Sequence, residues 1–251
     1  MHTYITEIAG HAEDDELSAK VKRAFSRAFC GHGELDAGIL TMEGLSGRKY
    51  RLFINNLMTT LYRPRYLEIG CWTGSTLFSA TSGAGVSATT IDDWSEVGAP
   101  REAFLANLRR LRAESSDITL IESDFRKVGY ASLGPIDVFT YDGPHQESDQ
   151  YDGIVMPAAA LKDEHVLVVD DWNWPGPRSG TLRALGDLRY SIRYALAIRT
   201  TLDDSHPELY GEATDWHNGY FIAVLAKPTG HEDNIGLTAR DVEAVLSSAA
   251  V

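Results

Sequence analysis

The residues most clearly suited to chemistry in this 251-residue chain form a glycine turn, Glu68-x-Gly70-x-x-x-Gly74, after a short apolar run. Glycines let a backbone turn tightly and approach a ligand closely. A helix that begins near Gly74, with Ser75 in its first turn, would point unpaired N–H groups at the same place. The spacing differs from the Gly-x-Gly-x-x-Gly run that suits a dinucleotide. The pattern predicts a nucleotide-binding turn, although a similar turn also occurs as a purely structural element of α/β proteins.

A carboxylate suited to a ribose follows 24 residues after Glu68, where Asp92 ends a second apolar run. In doubly wound folds an acid at this strand end, about 20 residues past the glycine turn, accepts hydrogen bonds from ribose hydroxyls. Asp92 is therefore the candidate ribose ligand. The alternative is that Asp92 and Asp93 cap a loop or the next helix.

Three more carboxylates follow two later apolar runs, with Asp142 after one and Asp170 and Asp171 after the next. The 28 residues from Asp142 to Asp170 fit about one strand-helix-strand unit, so we expect the two strand ends to be neighbours. Converging carboxylates raise each other's pKa unless they share a cation. An all-oxygen set favours a hard ion such as Mg²⁺. The sequence therefore predicts a Mg²⁺ site formed by Asp142, Asp170 and Asp171.

Two histidines are candidate general bases for the reaction. His145 follows Asp142 by three residues, and an unperturbed imidazole has a pKa near 6.5, which suits proton abstraction. The alternative is that His145 only holds its Gly-Pro turn. His217 is the second candidate.

Three tryptophans, Trp172, Trp174 and Trp216, stand in polar surroundings rich in glycine and proline. Aromatic faces suit sugar rings or phenols, so these side chains could line an acceptor pocket. The alternative is that they are ordinary core residues. We expect Arg178 and Arg183 to pair with carboxylates at the surface.

The glycine turn resembles motif I of class I S-adenosylmethionine-dependent methyltransferases. The resemblance assigns Glu68 to the amino group of the cofactor's methionine moiety and places Gly70 and Gly74 under its ribose. It also places Ser123 and Asp124, which end the third predicted strand, beside the adenine ring of the cofactor. The cofactor implied is S-adenosylmethionine.

The acidic strand ends are similar to those of metal-dependent O-methyltransferases, specifically the macrocin O-methyltransferase-like (TylF-like) enzymes and more distantly the catechol and caffeoyl-CoA types. The resemblance implies a metal at Asp142, Asp170 and Asp171, with Asp142 also serving the cofactor and catalysis. It implies methyl transfer to a hydroxyl of a small molecule, either a sugar of a secondary metabolite or a phenol. N-methylation of an amino sugar, an oxidoreductase on the same scaffold and a non-catalytic cofactor-binding module are the alternatives.

The elements that position these residues are predicted to form an α/β, Rossmann-like doubly wound sheet. Apolar runs that alternate with helical stretches indicate a parallel sheet covered on both faces. The predicted strands are 66–69, 88–91, 118–121, 137–141, 166–169, 191–199 and 220–225, and the resemblance implies that the seventh lies antiparallel. The predicted helices are 14–30, 49–62 and 180–188. We expect 1–62 to hold N-terminal helices and a cofactor-covering loop at 41–49, and 63–251 to form the class I methyltransferase domain.

Composition narrows the class of protein. A net charge of −13 argues against a nucleic-acid partner, because such proteins need a positive surface. No apolar run is long enough for a membrane span and no export leader is recognisable, so we expect a cytoplasmic protein. Cys30 and Cys71 are too few and too far apart for a disulfide framework or a zinc site. A homo-oligomer is compatible with the sequence.

Overall fold

An eight-stranded sheet organises the molecule. The computed structural model describes residues 2–10, 15–83, 85–96, 98, 100–228 and 236–248. The strands are β1 (Tyr4–Ala9), β2 (Arg65–Ile69), β3 (Ser87–Asp92), β4 (Asp117–Glu122), β5 (Ile136–Tyr141), β6 (Leu161–Asp170), β7 (Ser191–Arg199) and β8 (Tyr220–Ala226). Their order across the sheet is β1-β7-β8-β6-β5-β2-β3-β4.

Helices cover both faces of this sheet. The α-helices of the described ranges are α1 (Glu16–Phe29), α2 (Ala37–Leu40), α3 (Arg48–Thr60), α4 (Ser75–Thr81), α5 (Arg101–Leu111), α6 (Glu147–Val155), α7 (Pro175–Asp187) and α8 (Ala239–Ser248). Short 3₁₀ turns lie at Phe125–Lys127, Tyr130–Ser132, Met156–Ala160 and Gly211–Ala213. Among the helices described, none is both long and apolar enough to cross a membrane.

The topology places a crevice between β2 and β5. From β2 the chain builds outward through β3 and β4, then returns to form β5 on the other side of β2, and all these pairs are parallel. Ligands of doubly wound sheets bind at such a reversal of strand order, outside the carboxyl ends of the strands. The polar residues predicted for the site follow these strand ends.

The predicted doubly wound sheet is confirmed, and so is the antiparallel seventh strand. That strand, β8, lies between β6 and β7 and is antiparallel to both. The structure adds an eighth strand inside 1–62, the region predicted to hold helices and a cofactor-covering loop, since β1 pairs antiparallel with β7 at the sheet edge. Most residues of β1 are exposed and only Ile8 is fully buried. Because a mostly exposed strand needs few apolar residues, the sequence of β1 has little of the apolar alternation that identifies a strand.

The three helices predicted with bounds are present with shifted ends, whereas α2 and α8 were missed. Asp15 caps α1 by accepting hydrogen bonds from the N–H groups of Leu17 and Ser18, while the predicted first residue, Asp14, lies outside the described residues. Helix α7 begins at Pro175, five residues before the predicted start, because a proline is well suited to the first turn of a helix. Helix α8 was not predicted.

Candidate active site

A cavity of about 350 Å³ opens above the carboxyl ends of β2 to β5. This volume lies in the range of pockets that bind small molecules. We call it the acidic cavity, because carboxylates from several strand ends line it. The predicted site residues in its wall are Glu68, Gly70, Ser75, Asp92, Ser123, Asp124, Asp142 and His145. Gly74 precedes the helix behind this wall, and Asp170, Asp171 and His217 lie outside the lining.

The two glycines of the turn are required by backbone geometry. Gly70 has a φ of +84°, and a Cβ atom there would lie 1.9 Å from the carbonyl oxygen of Asp142. Gly74 has a φ of +94° and precedes Ser75, the first residue of α4. Residues other than glycine rarely adopt this left-handed conformation. The turn therefore brings the ends of β2 and β5 into direct contact at the cavity.

Asp92 caps the loop, as the alternative interpretation of its position suggested, and its role as a ribose ligand stays a prediction. Its Oδ2 accepts hydrogen bonds from the N–H groups of Cys71 (2.8 Å) and Trp72 (2.9 Å), and its Oδ1 accepts one from the N–H of Trp94 (2.8 Å). The carboxylate thus holds the glycine turn, as a loop cap would. It also lines the cavity, and its Oδ1, which accepts only one of these hydrogen bonds, retains further acceptor capacity.

Glu68 is a buried carboxylate that has no counterion among the residues the structure describes. Its side chain is 1 % exposed, and its Oε2 has no hydrogen-bond partner among the described residues. Burial, together with the nearby charge of Asp92, raises the pKa of Glu68 well above its ordinary value. A positively charged ligand group in the cavity would supply the missing partner, because an adjacent cation favours the ionised carboxylate.

Asp142 and Asp170 form a close acidic pair at the ends of β5 and β6, which are parallel neighbours. Burial raises the pKa of both, and the charge of Asp171 raises each further. The charge of Asp142 also raises the pKa of Asp170, whereas a hydrogen bond with Asp170 partly lowers that of Asp142. Two carboxylates in such contact titrate as one system. A shared proton or a nearby cation would relieve the repulsion within the pair.

Asp171 holds His145 in place. It has a φ of +57°, its Oδ2 lies 2.9 Å from Nδ1 of His145, and its Oδ1 accepts a hydrogen bond from Asn218 at 2.7 Å. Burial alone would lower the pKa of His145, but the hydrogen bond and charge of Asp171 outweigh it and raise that pKa. In turn His145 outweighs the effect of burial on Asp171, whose pKa is lowered. With Nδ1–H donating to the carboxylate, Nε2 is the basic atom of His145.

The magnesium prediction is not supported by this arrangement. Asp142 and Asp170 converge, but both oxygens of Asp171 already have partners, His145 and Asn218. Across the described ranges, no group of three His, Cys, Asp or Glu side chains is placed to hold a metal ion. The three carboxylates therefore do not form the expected ligand set as they stand.

The remaining aromatic and histidine candidates lie outside the lining of the acidic cavity. Trp172 and Trp216 are buried core residues, whereas Trp174 is half-buried and meets the ring of His145 edge-on at 5.2 Å. The Nδ1 of His217 accepts a hydrogen bond from the N–H of Gly211, and burial lowers the pKa of His217 to about 4. His217 is therefore a weak base in comparison with His145.

The two arginines discussed with these residues pair with carboxylates as expected. Arg178 binds Asp204 at 2.7 Å, and Arg183 binds Glu147 at 2.7 Å. Arg178 is nevertheless largely covered by protein, with 21 % of its side chain exposed.

Sequence analysis missed several residues of the cavity wall, including Trp72, Trp94 and Phe125. Trp94 donates from Nε1 to the carbonyl oxygen of Trp72, at 3.1 Å, which joins two sides of the wall. All three aromatic residues stand within two positions of a predicted site residue, and this adjacency is the signal that could have identified them.

The predicted covering loop, 41–49, packs beside the cavity. Leu45 lines the cavity, and the Oγ atoms of Ser46 and Ser75 are 2.8 Å apart. Arg51, which is fully buried, donates to backbone carbonyl oxygens before and within this segment, including those of Met42 and Ser46. The loop is thereby fastened to α3 and α4. Its closure over a cofactor stays a prediction.

Comparisons with solved structures agree with this topology. Cofactor-bound Rv0187 from MTB is 19 % identical, with a TM-score of 0.52 over 87 % of this chain and 93 % of that one. A Klebsiella pneumoniae protein provisionally described as an O-methyltransferase is 15 % identical, with a TM-score of 0.51 over 86 % of this chain and 92 % of that one. No protein-family profile and no curated protein matches the sequence. The chain has the Rossmann-like fold of class I methyltransferases.

Proposed function

We propose that this chain is an S-adenosylmethionine-dependent O-methyltransferase that acts on a hydroxyl group of a small molecule. The observation that carries the proposal is the pairing, in one cavity, of an unpartnered buried carboxylate with a histidine held by a carboxylate. Glu68 supplies the first group, and His145 with Asp171 supplies the second. The first suits a cationic cofactor, and the second suits removal of a proton from an acceptor.

The cofactor's charges and rings match the lining of the acidic cavity. S-adenosylmethionine carries an ammonium and a sulfonium group, and Glu68 and Asp142 place carboxylates where such groups are stabilised. Asp92 offers acceptor capacity to the ribose hydroxyls beside the turn that it holds. Ser123 and Asp124 flank the adenine, and Phe125 adds an aromatic face next to them. Ser75, fixed by Ser46, lines the wall near the methionine moiety.

Methyl transfer needs an acceptor oxygen held in line with the sulfonium methyl group. In the proposed step the acceptor oxygen forms a bond to the methyl carbon as the sulfur–methyl bond breaks, and Nε2 of His145 takes the hydroxyl proton. Asp171 stabilises the imidazolium that results. Orientation of the two reactants supplies much of the rate, since effective molarities reach about 10⁵ to 10⁸ M.

The acceptor is proposed to be a ring compound, a sugar of a secondary metabolite or a phenol. Trp174 supports this choice, because its half-buried ring meets His145 and aromatic faces suit such rings. The resemblance to TylF-like enzymes favours the sugar. The metal assistance that this resemblance also implies would place the ion beside Asp171 oxygens that already bind His145 and Asn218.

The test is transfer of isotopically labelled methyl from S-adenosylmethionine to a panel of sugars, phenols and amino sugars. Each assay is run once with a chelator and once with added Mg²⁺. The proteins compared are the wild type, His145→Gln and, as a matched control at an exposed histidine, His32→Gln. We expect methylated oxygen in the product, turnover in the presence of chelator, and its loss only in His145→Gln.

Other outcomes would contradict specific parts of the proposal. If the chelator abolishes turnover and Mg²⁺ restores it, the group that activates the hydroxyl is a metal ion and not His145. Methyl on nitrogen would favour the amino-sugar alternative. Binding of the cofactor without transfer to any acceptor would favour a non-catalytic module.

A further inference from the structure

A second, larger cavity of about 950 Å³ lies at the other end of the sheet, between α7 and α8 and against β1 and β7. Ala197 of β7 lines the cavity, and its small side chain occupies little of this space. The cavity does not include His145, Asp171 or the residues around the glycine turn. We call it the arginine cavity.

Its lining is positive although the whole chain carries a net charge of −13. The lining arginines come from α7, the turn after it, β7 and α8, and outnumber the lining acids Asp187 and Glu243: they are Arg178, Arg183, Arg189, Arg199 and Arg240.

Arg178 and Arg199 stand out in this lining because both guanidinium groups bind the same oxygen, Oδ1 of Asp204, at 2.7 and 2.9 Å. Two cations therefore share one carboxylate. Arg189 and Arg240 have no ion pair with any residue that the structure describes. A bound anion would balance the excess positive charge of these arginines.

Buried donors in the same lining also lack partners. Trp172 is fully buried, yet its Nε1 has no hydrogen-bond partner within the described ranges, and the same is true of Nε of Arg199. The hydroxyl groups of Tyr190 and Ser191, buried at the opposite end, are likewise without partners there. A buried donor left unsatisfied costs free energy, so a ligand that accepts these hydrogen bonds is favoured.

We propose that the arginine cavity binds a small organic anion that carries an apolar body. The anionic head, a phosphate or carboxylate, lies against Arg178, Arg199 and the indole N–H of Trp172. The body lies along the leucines that line the rest of the cavity: Leu182, Leu185 and Leu237. This site is separate from the methyl-transfer cavity and does not depend on the function proposed for it.

The test is calorimetric titration of the full chain with octyl phosphate, and cavity variants then locate the binding. We expect one molecule to bind per chain and octanoate to bind as well. Inorganic phosphate should bind at least tenfold more weakly, and octanol should not bind. The comparison of these probes separates the contributions of the head and the body.

Variants decide whether binding occurs in this cavity. Arg199→Met should weaken octyl phosphate binding tenfold or more, and Ala197→Leu should block it by filling the space, whereas Arg112→Met removes an equal charge elsewhere and should change it less than twofold. Arg240→Met, at the exposed rim, serves if Arg199→Met does not fold. The proposal is overturned if octyl phosphate does not bind, if Arg112→Met weakens binding as much as the cavity variants do, or if Ala197→Leu binds normally.

Discussion

The acidic cavity and the arginine cavity lie at opposite ends of one sheet, and their linings carry opposite charge. The acidic cavity lies above β2 to β5, where Glu68, Asp92 and Asp142 come from three parallel strands. The arginine cavity lies against β1 and β7, where the strands are antiparallel and the charged residues come mostly from helices. Parallel strand ends converge by topology, so a sequence pattern can reveal the first cavity. The second depends on how α7 and α8 pack, which no local pattern records.

The largest expected effect is a loss of catalytic rate, and it should follow from a change beside the acidic cavity but not from one in the arginine cavity. Asp171→Asn keeps a residue that tolerates the positive φ at this position but removes the charge that supports His145. We expect kcat to fall by about 10² to 10⁴-fold, the usual contribution of a general base, with S-adenosylhomocysteine affinity within about twofold of the wild type. Steady-state kinetics and calorimetry measure the two quantities.

Asp187→Asn is the matched control, because this acid lines the arginine cavity and binds the hydroxyl of Tyr151. It should leave kcat unchanged. Equal losses in the two variants would mean that Asp171 acts through general stability, and the distinction between the cavities would fail.

The second effect concerns the unpaired carboxylate of the acidic cavity. Glu68→Gln should weaken S-adenosylmethionine binding about tenfold to hundredfold, because a hydrogen bond to a charged group contributes about 1.5 to 3 kcal/mol. The pKa of Glu68 is raised, so the wild-type carboxylate ionises as pH rises through that pKa and its affinity for the cationic cofactor increases. The variant should lose this pH dependence.

Calorimetry at several pH values between 6 and 9 checks the prediction, with Glu96→Gln as the control at the exposed edge of the same cavity. Octyl phosphate binding should be unaffected in both. An unchanged pH profile in Glu68→Gln would show that Glu68 does not face the cofactor's charge.

The third effect is on stability and arises beside the arginine cavity. His165 is buried against Tyr190, and burial lowers its pKa to about 4 from about 6.5. Well above pH 6.5 the imidazole of His165 is neutral in both the folded and the unfolded state. As pH falls from 6.5 to 4 the unfolded state takes up the proton first, so stability is lost in this window. The loss is about 2 kcal/mol between pH 7 and 5.

Urea unfolding at pH 7 and 5 tests this value by comparing the wild type with His165→Gln, which lacks the titrating group. The free energy of unfolding should fall less on acidification in His165→Gln, by about 2 kcal/mol, than in the wild type or in His32→Gln. Identical pH slopes in the three proteins would refute the assignment of a neutral buried His165.

The smallest effect tests the loop beside the acidic cavity. Ser46→Ala removes the contact with Ser75 and the hydrogen bond from Nε of Arg51, so we expect a loss of about 1 kcal/mol in the free energy of unfolding. Cofactor affinity should fall a few-fold, because Leu45 in the same loop lines the cavity. Ser26→Ala, at an exposed helix position, is the control and should leave affinity unchanged.

The sequence predicted those parts of the structure that follow from local pattern. Glu68, Asp92 and Asp142 were identified because each ends or lies near the end of an apolar strand, and the parallel arrangement brings them together. The loop-capping alternative for Asp92 proved to be part of its role, since its carboxylate accepts three backbone hydrogen bonds.

Other features depend on contacts between residues far apart in the chain. The partners of Asp171 include Asn218, which is 47 residues away, and the positive φ at Asp171 directs this neighbour of Asp170 to His145. The expected three-carboxylate ligand set could not be distinguished from this arrangement without the structure. β1 was missed because its contribution to the sheet comes from pairing with β7 at the edge.

The most direct measurement of the central claim is calorimetric titration of the wild-type chain with S-adenosylmethionine, repeated with octyl phosphate already present. We predict one cofactor molecule per chain, displaced by S-adenosylhomocysteine and unaffected by octyl phosphate, because the acidic cavity binds the cofactor independently of the arginine cavity. Absence of cofactor binding would contradict the account, since the glycine turn and Glu68 would then serve only the fold.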